Sequence, residues 1–110
     1  MQISIQDSGA VAVVAVSGRV DSATAPELEE ALKKLVESDR IQIVLDLLNV
    51  EYMSSAGLRA MVSNLKKVKQ VNGDLRIANP SQRVEEVLKL AGLTSIFSLH
   101  KSREEAIASF

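Results

Sequence analysis

The chain has 110 residues, with 13 Lys and Arg against 14 Asp and Glu, no cysteine, no tryptophan, and 46% apolar but only 3% aromatic residues. That length supports one domain, residues 1–110, with a core of its own; the lack of Cys excludes a disulfide framework or thiolate metal site, and the near-neutral, aromatic-poor composition argues against a nucleic-acid platform. The start, MQISIQDSG, has no basic leader, and the longest apolar run, Ala10–Val16, is seven residues against the ~20 that span a bilayer, so a cytoplasmic protein without membrane insertion is expected. Charge is split unevenly, residues 1–55 carrying −5 and residues 56–110 carrying +4.

Met1–Gln6 alternates, with Met1, Ile3 and Ile5 on one side and Gln2, Ser4 and Gln6 on the other, the two-residue period of a half-buried edge strand. Asp7-Ser8-Gly9 carries turn chemistry, and the β-branched run Ala10–Val16 predicts a strand antiparallel to the first and covered on both faces. Thr24-Ala25-Pro26-Glu27 is a capping box, with the Thr24 hydroxyl expected to accept from a backbone N–H of the first turn while Glu27 reaches back, after which Leu28, Ala31, Leu32 and Leu35 fall on one stripe of a helix ending near Ser38-Asp39. Ile41–Leu48 predicts a central parallel strand reached by a crossover, with Asp46 near its carboxyl end. Leu58, Met61, Val62, Leu65 and Val68 trace a second helix, starting around Ser54–Gly57 and closed by Asn72-Gly73 with Gly as the left-handed cap. Asp74–Ala78 alternates as a strand, Asn79-Pro80-Ser81 opens a third helix stopped by Gly92, and Ile96–Leu99 forms a last short strand. Ser102-Arg103-Glu104-Glu105 is a second capping box, starting a terminal helix. This order predicts a small α/β domain: a mixed sheet of four to five strands with an antiparallel N-terminal edge hairpin, and about four helices.

In such folds, ligands and partners favour the loops at the carboxyl ends of the parallel strands. One of these, Asn49–Leu58, places Ser54 and Ser55 at the amino end of a helix, where unpaired N–H groups and the positive dipole end favour a hydroxyl cap or an anion. That environment suits a phosphoserine. Gly57 offers close approach to a partner backbone.

The segment V-L-D-L-L-N-V-E-Y-M-S-S-A-G-L-R, Val44–Arg59, closely resembles the signature of the STAS domain of bacterial anti-sigma factor antagonists, or anti-anti-sigma factors. G-R-V-D at Gly18–Asp21 is similar to that family's short motif after its second strand. The resemblance implies a regulatory phosphoprotein in signal transduction to transcription, not an enzyme. Its unphosphorylated form binds an anti-sigma factor of histidine-kinase-like ATPase fold, by partner switching that frees the sigma factor; the same partner is the serine kinase, and a PP2C-type phosphatase reverses it. On this resemblance Ser55 is the acceptor, and the partner surface comprises Asp21, Ser54, Ser55, Ala56, Gly57, Leu58 and Arg59, with Asp46 and Met53 supporting the loop. Ser54 stands where many members have Asp, and Ala56 where many have Ser, so Ser54 remains an alternative acceptor.

Two other readings stay open. One is a STAS scaffold subunit of a membrane transport complex, docking through the same loop without phosphorylation. The other is a serine hydrolase, because Met53–Gly57 partly mimics the G-x-S-x-G elbow and Ser55, Asp74 and His100 follow hydrolase chain order, although the first glycine is absent. Simpler roles also exist: helix caps for Ser54 and Ser55, a loop hydrogen bond for Asp46, a turn for Asp21. With no phosphate loop, dinucleotide fingerprint or metal-ligand cluster, no cofactor and no metal are expected, and any ATP belongs to the partner.

Overall fold

A computed structural model describes residues 1–110. Its first hairpin is longer than the sequence pattern suggests, with β1 at Gln2–Ser8, β2 at Val11–Val20 and the turn at Gly9-Ala10. There follow α1 (Ala25–Glu37), β3 (Gln42–Met53), α2 (Ser55–Lys69), β4 (Asp74–Ala78), α3 (Gln82–Leu90), a short 3-10 turn (Leu93–Ser95), β5 (Leu99–His100) and α4 (Arg103–Ala108). The five strands lie in the order β1-β2-β3-β4-β5, with β1 antiparallel to β2 and the remaining pairs parallel. The expected mixed sheet with one antiparallel edge hairpin and four helices is therefore the one observed.

The inward stripes pack as their spacing dictates. Leu28, Leu32 and Leu35 of α1, Met61, Leu65 and Val68 of α2, and Val84 and Leu88 of α3 form one core with Val14, Ile43, Leu45, Leu75 and Ile77 of the sheet. The opposite face is covered by α4, whose Ala106, Ile107 and Phe110 end meets Val11, Val13, Val44 and Ala78. Arg76 of β4 stacks on Phe110 at 4.2 Å and donates to the carbonyl and hydroxyl of Ser109, fastening the end of the chain to that face.

The main departure from the sequence expectation is β3, which continues five residues beyond Leu48. Two irregularities make this possible: one between the pairs Ala15↔Asp46 and Ser17↔Asn49, the other between Gly18↔Val50 and Arg19↔Tyr52. Each inserts an extra β3 residue and resets the alternation. Leu47, Val50 and Met53 consequently face the core while Leu48, Asn49 and Glu51 are exposed, a pattern that reads as a loop by period alone.

Three local expectations are corrected. Thr24 does not cap α1: its hydroxyl donates to the Arg19 carbonyl (3.0 Å) and accepts from the Asp21 N–H (2.9 Å), and no side chain bonds the first turn. At the end of α2 the left-handed residue is Asn72 (φ 68°), not Gly73. Gly73 is needed for a different reason, since a Cβ there would run into the Ile41 backbone and lie 2.7 Å from its Cβ. The last strand is Leu99–His100 and not Ile96–Leu99, because Phe97 turns into the core after the 3-10 turn. Ser102 does cap α4, accepting from Glu105 N–H at 3.0 Å.

Candidate functional site

The carboxyl ends of β2 and β3 run side by side, so Gly18–Asp21 and Tyr52–Ser55 meet in space. Arg19 pairs with Tyr52 across the strands, its guanidinium 4.4 Å above the ring, and Val20 pairs with Met53. The N–H of Ser54 donates to the Val20 carbonyl at 2.8 Å, the last rung joining the strands. Ser54 then begins α2: its carbonyl accepts from Leu58 N–H (3.0 Å) and its hydroxyl from Gly57 N–H (3.3 Å), the N-cap arrangement. Met53 and Leu58, on either side of that cap, are both in the core, at the positions of a hydrophobic staple.

Ser55, one residue further, is exposed and its hydroxyl makes no hydrogen bond within the chain. The first turn of α2 contains no acidic side chain, so the partial positive charge of the helix end is uncompensated there. Arg59, one turn along, is exposed and in no ion pair. It stands on a ridge between two shallow grooves. One, against α1, includes Ala25, Pro26 and Ala56; the other, against the 3-10 turn, includes Ser55, Leu58, Val62 and Leu93.

Asp21 borders this cluster. Its Oδ1 accepts from the N–H groups of Ala23 and Thr24, both at 3.0 Å, and shares with the Arg19 carbonyl the single proton of the Thr24 hydroxyl, 3.2 Å away, leaving Oδ2 without a partner in the chain. The Thr24 backbone bond, with help from Ala23 and Arg19, holds the carboxyl below its ordinary value of 3.8. Asp21 thus shapes the turn before α1 and keeps one carboxylate oxygen free of hydrogen bonds within the chain.

Ser55 and Arg59 line one groove and Ala56 and Arg59 the other, while Asp21 is brought toward Ser54 by the rung from the Ser54 N–H to the Val20 carbonyl. Gly57 turns inward instead: a Cβ on it would collide with Met53 and lie 2.7 Å from Val20 Cγ1, so its bareness serves the close approach of α2 to the sheet and not that of a partner backbone. Leu58 is also buried, keeping only an edge on the second groove. Asp46 is seven residues up β3 from Met53 and does not touch the serine turn. It is 5% exposed and bonds Leu48 N–H (3.1 Å), Asn79 Nδ2 (3.1 Å) and Arg103 Nε (3.0 Å), so what it supports is the first β3 bulge and the seat of α4. The hydrolase constellation does not assemble. Asp74 begins β4 at the opposite end of the sheet from Ser55 and binds Arg76, while His100 Nε2 lies 2.7 Å from the Ser98 hydroxyl.

Arg19 and Tyr52 were not singled out by sequence spacing, because the bulge at Glu51 disguises their cross-strand pairing. The uneven charge of the two halves meets across the helices, where Glu29 of α1 binds Asn64 (3.0 Å) and Lys67 (3.6 Å) of α2. No helix is long and apolar enough to cross a membrane.

Comparison with known proteins converges on one family. The STAS domain profile matches residues 2–106. BtrV of Bordetella bronchiseptica, which bears the name of an anti-sigma factor antagonist, is 36% identical over 110 residues, 100% of this chain and 95% of that protein. The anti-sigma-B factor antagonist of Staphylococcus aureus is 34% identical over 91 residues, 83% of this chain and 84% of that one. Among solved structures, an anti-sigma factor antagonist from Mycobacterium paratuberculosis superposes with a TM-score of 0.91 at 28% identity, covering 98% of this chain and 92% of that chain. Bacillus SpoIIAA in its phosphorylated form shares the fold, with a TM-score of 0.79 at 17% identity and 98% of each chain covered.

Proposed function

This chain belongs to the STAS domain family, and from that premise we propose that it is an anti-sigma factor antagonist switched by phosphorylation of Ser55. In the unmodified state it binds an anti-sigma factor that is also a serine kinase of histidine-kinase-like ATPase fold; a PP2C-type phosphatase removes the mark. It is a regulatory substrate and not an enzyme, and it acts in the cytoplasm. The observation that carries the reading is the contrast between neighbouring serines. The Ser54 hydroxyl is engaged as the helix cap, whereas that of Ser55 is exposed, unbonded, and set on a helix end with no acid of its own.

Phosphorylation adds about −1.5 to −2 charge and a tetrahedral group. At the α2 N-terminus the fold tolerates that anion, because dipole and open N–H groups favour it. In a tight interface the same group is unfavourable, and a penalty of only ~3–4 kcal/mol weakens binding by a few hundred-fold. Asp21, Ala56 and Arg59 supply the rim of the contact. Ser54 in place of the more usual Asp does not favour the transport-scaffold reading, because its role here is an N-cap and Asp caps equally well.

The test uses the cognate ATPase with ATP. Wild type is modified at Ser55; Ser55→Ala is not modified yet still binds, and Ser55→Asp binds poorly. Phosphate mapped to another residue, or equal binding by all three forms, refutes the proposal.

A further inference from the structure

The two edges of the sheet are treated differently. One is blunted by shortness, since β5 is only Leu99–His100. The other, β1, pairs with β2 along all seven residues without a register shift, so its far side presents a straight row of unpaired N–H and C=O groups. Exposed edges of this length are normally broken by lysine, proline or a bulge. Here Gln2-Ile3-Ser4-Ile5-Gln6 has no charge and no proline, and the one ionised residue that follows, Asp7, is paired with Arg40.

On the helix side, Ile3 and Ile5 line a groove with Ala31 and Leu35 of α1, and Ile5 is 45% exposed. Glu27, Glu30 and Lys34 rim that groove, all exposed and none in an ion pair. Acidic residues sit toward the start of α1 and the lysine toward its end. That order is self-complementary under a twofold axis.

We propose that β1 is the pairing edge of a homodimer, in which β1 of a second copy continues the sheet antiparallel. The twofold axis of such a pair is perpendicular to the sheet, so both α1 helices lie on one face, side by side and antiparallel. With Ser4 opposite Ser4, Ile3 of each copy faces Ile5 of the other on the groove side, and Gln2 faces Gln6 on the other side. Lys34 of each copy then approaches Glu27 and Glu30 of its mate, so every charged contact occurs twice. The carboxyl ends of β3 in the two copies point in opposite directions, and both serine surfaces stay open.

Sedimentation equilibrium of the full chain, with amide hydrogen exchange, tests this. Wild type is expected to dimerise with concentration, with β1 amides exchanging more slowly in the dimer than in the monomer. Ile5→Lys is expected to stay monomeric, and Lys34→Glu to weaken the dimer roughly tenfold. Combining Glu27→Lys, Glu30→Lys and Lys34→Glu is expected to restore it, which keeps the test decisive even if Ile5→Lys disturbs folding. Wild type that remains monomeric at about 1 mM, a dimer whose β1 amides gain no protection, or a charge-swapped variant that fails to recover overturns the proposal. So does β1 protection that arises only with a strand from another protein.

Discussion

Asp46→Ala tests the energetic centre of the sheet. The carboxylate is almost fully buried and accepts three hydrogen bonds, from Leu48 N–H, Asn79 Nδ2 and Arg103 Nε. Removing it takes the acceptor from the Leu48 amide in the first β3 bulge and from Asn79 Nδ2, and a hydrogen bond to a charged group contributes about 1.5–3 kcal/mol. Truncating one member of a buried ion pair costs about 3–5 kcal/mol when the other is trapped. Arg103 is not trapped, since its side chain retains 34% exposure and can turn to water. The sum expected is therefore about 2–4 kcal/mol, or roughly 10 °C in Tm for a domain of this size. Urea unfolding measures it, and a double-mutant cycle with Arg103→Met separates the ion pair from the Leu48 and Asn79 bonds, with Arg103→Met alone costing less than Asp46→Ala. Stability of Asp46→Ala within about 0.5 kcal/mol of wild type, the range of ordinary surface changes, refutes the argument.

Gly57→Ala forces a methyl into Val20 and Met53 and is expected to cost about 1–3 kcal/mol, with circular dichroism melts reporting the loss and binding falling because α2 is displaced. Ser54→Ala removes the α2 cap, for about 1 kcal/mol by denaturant unfolding, without removing the hydroxyl of Ser55, the proposed acceptor. The Asp21 carboxyl is expected to titrate below 3.8 when followed by NMR, and Thr24→Val to bring it back toward that value by deleting the hydroxyl bond while sparing the stronger backbone one. Because the folded value is the lower one, the turn's contribution is complete above the unfolded value and fades as pH falls through the folded one; Asp21→Asn removes that dependence.

How much of this was legible in the sequence follows from the range over which each feature is determined. The stripes Leu28-Leu32-Leu35 and Met61-Leu65-Val68 obey the helical period, and they pack as that period requires. The serine turn was legible as well, because a cap, a small residue and a glycine within four positions are local signals. The end of β3 was not, since its bulges are defined only by the partner strand: Leu48 and Asn49 look like a loop until Ser17 is set opposite. Thr24 satisfied the local rule for a cap and was drawn away by Arg19 and Asp21, groups of the preceding strand and turn. The bond that Asp46 accepts from the Leu48 N–H is local and was legible, but the other two partners of Asp46 lie 33 and 57 residues downstream, beyond the reach of any spacing rule.

Ser54 ends one element and begins the next: its amide closes the β2–β3 ladder while its carbonyl and hydroxyl open α2. There is no slack between strand and helix. The phosphate proposed for the adjacent Ser55 therefore has no hinge to turn, and on that proposal it alters the face of the molecule rather than its shape. The phosphate proposed there works like ink on a plate, set on the surface of a turn where strand and helix share one residue.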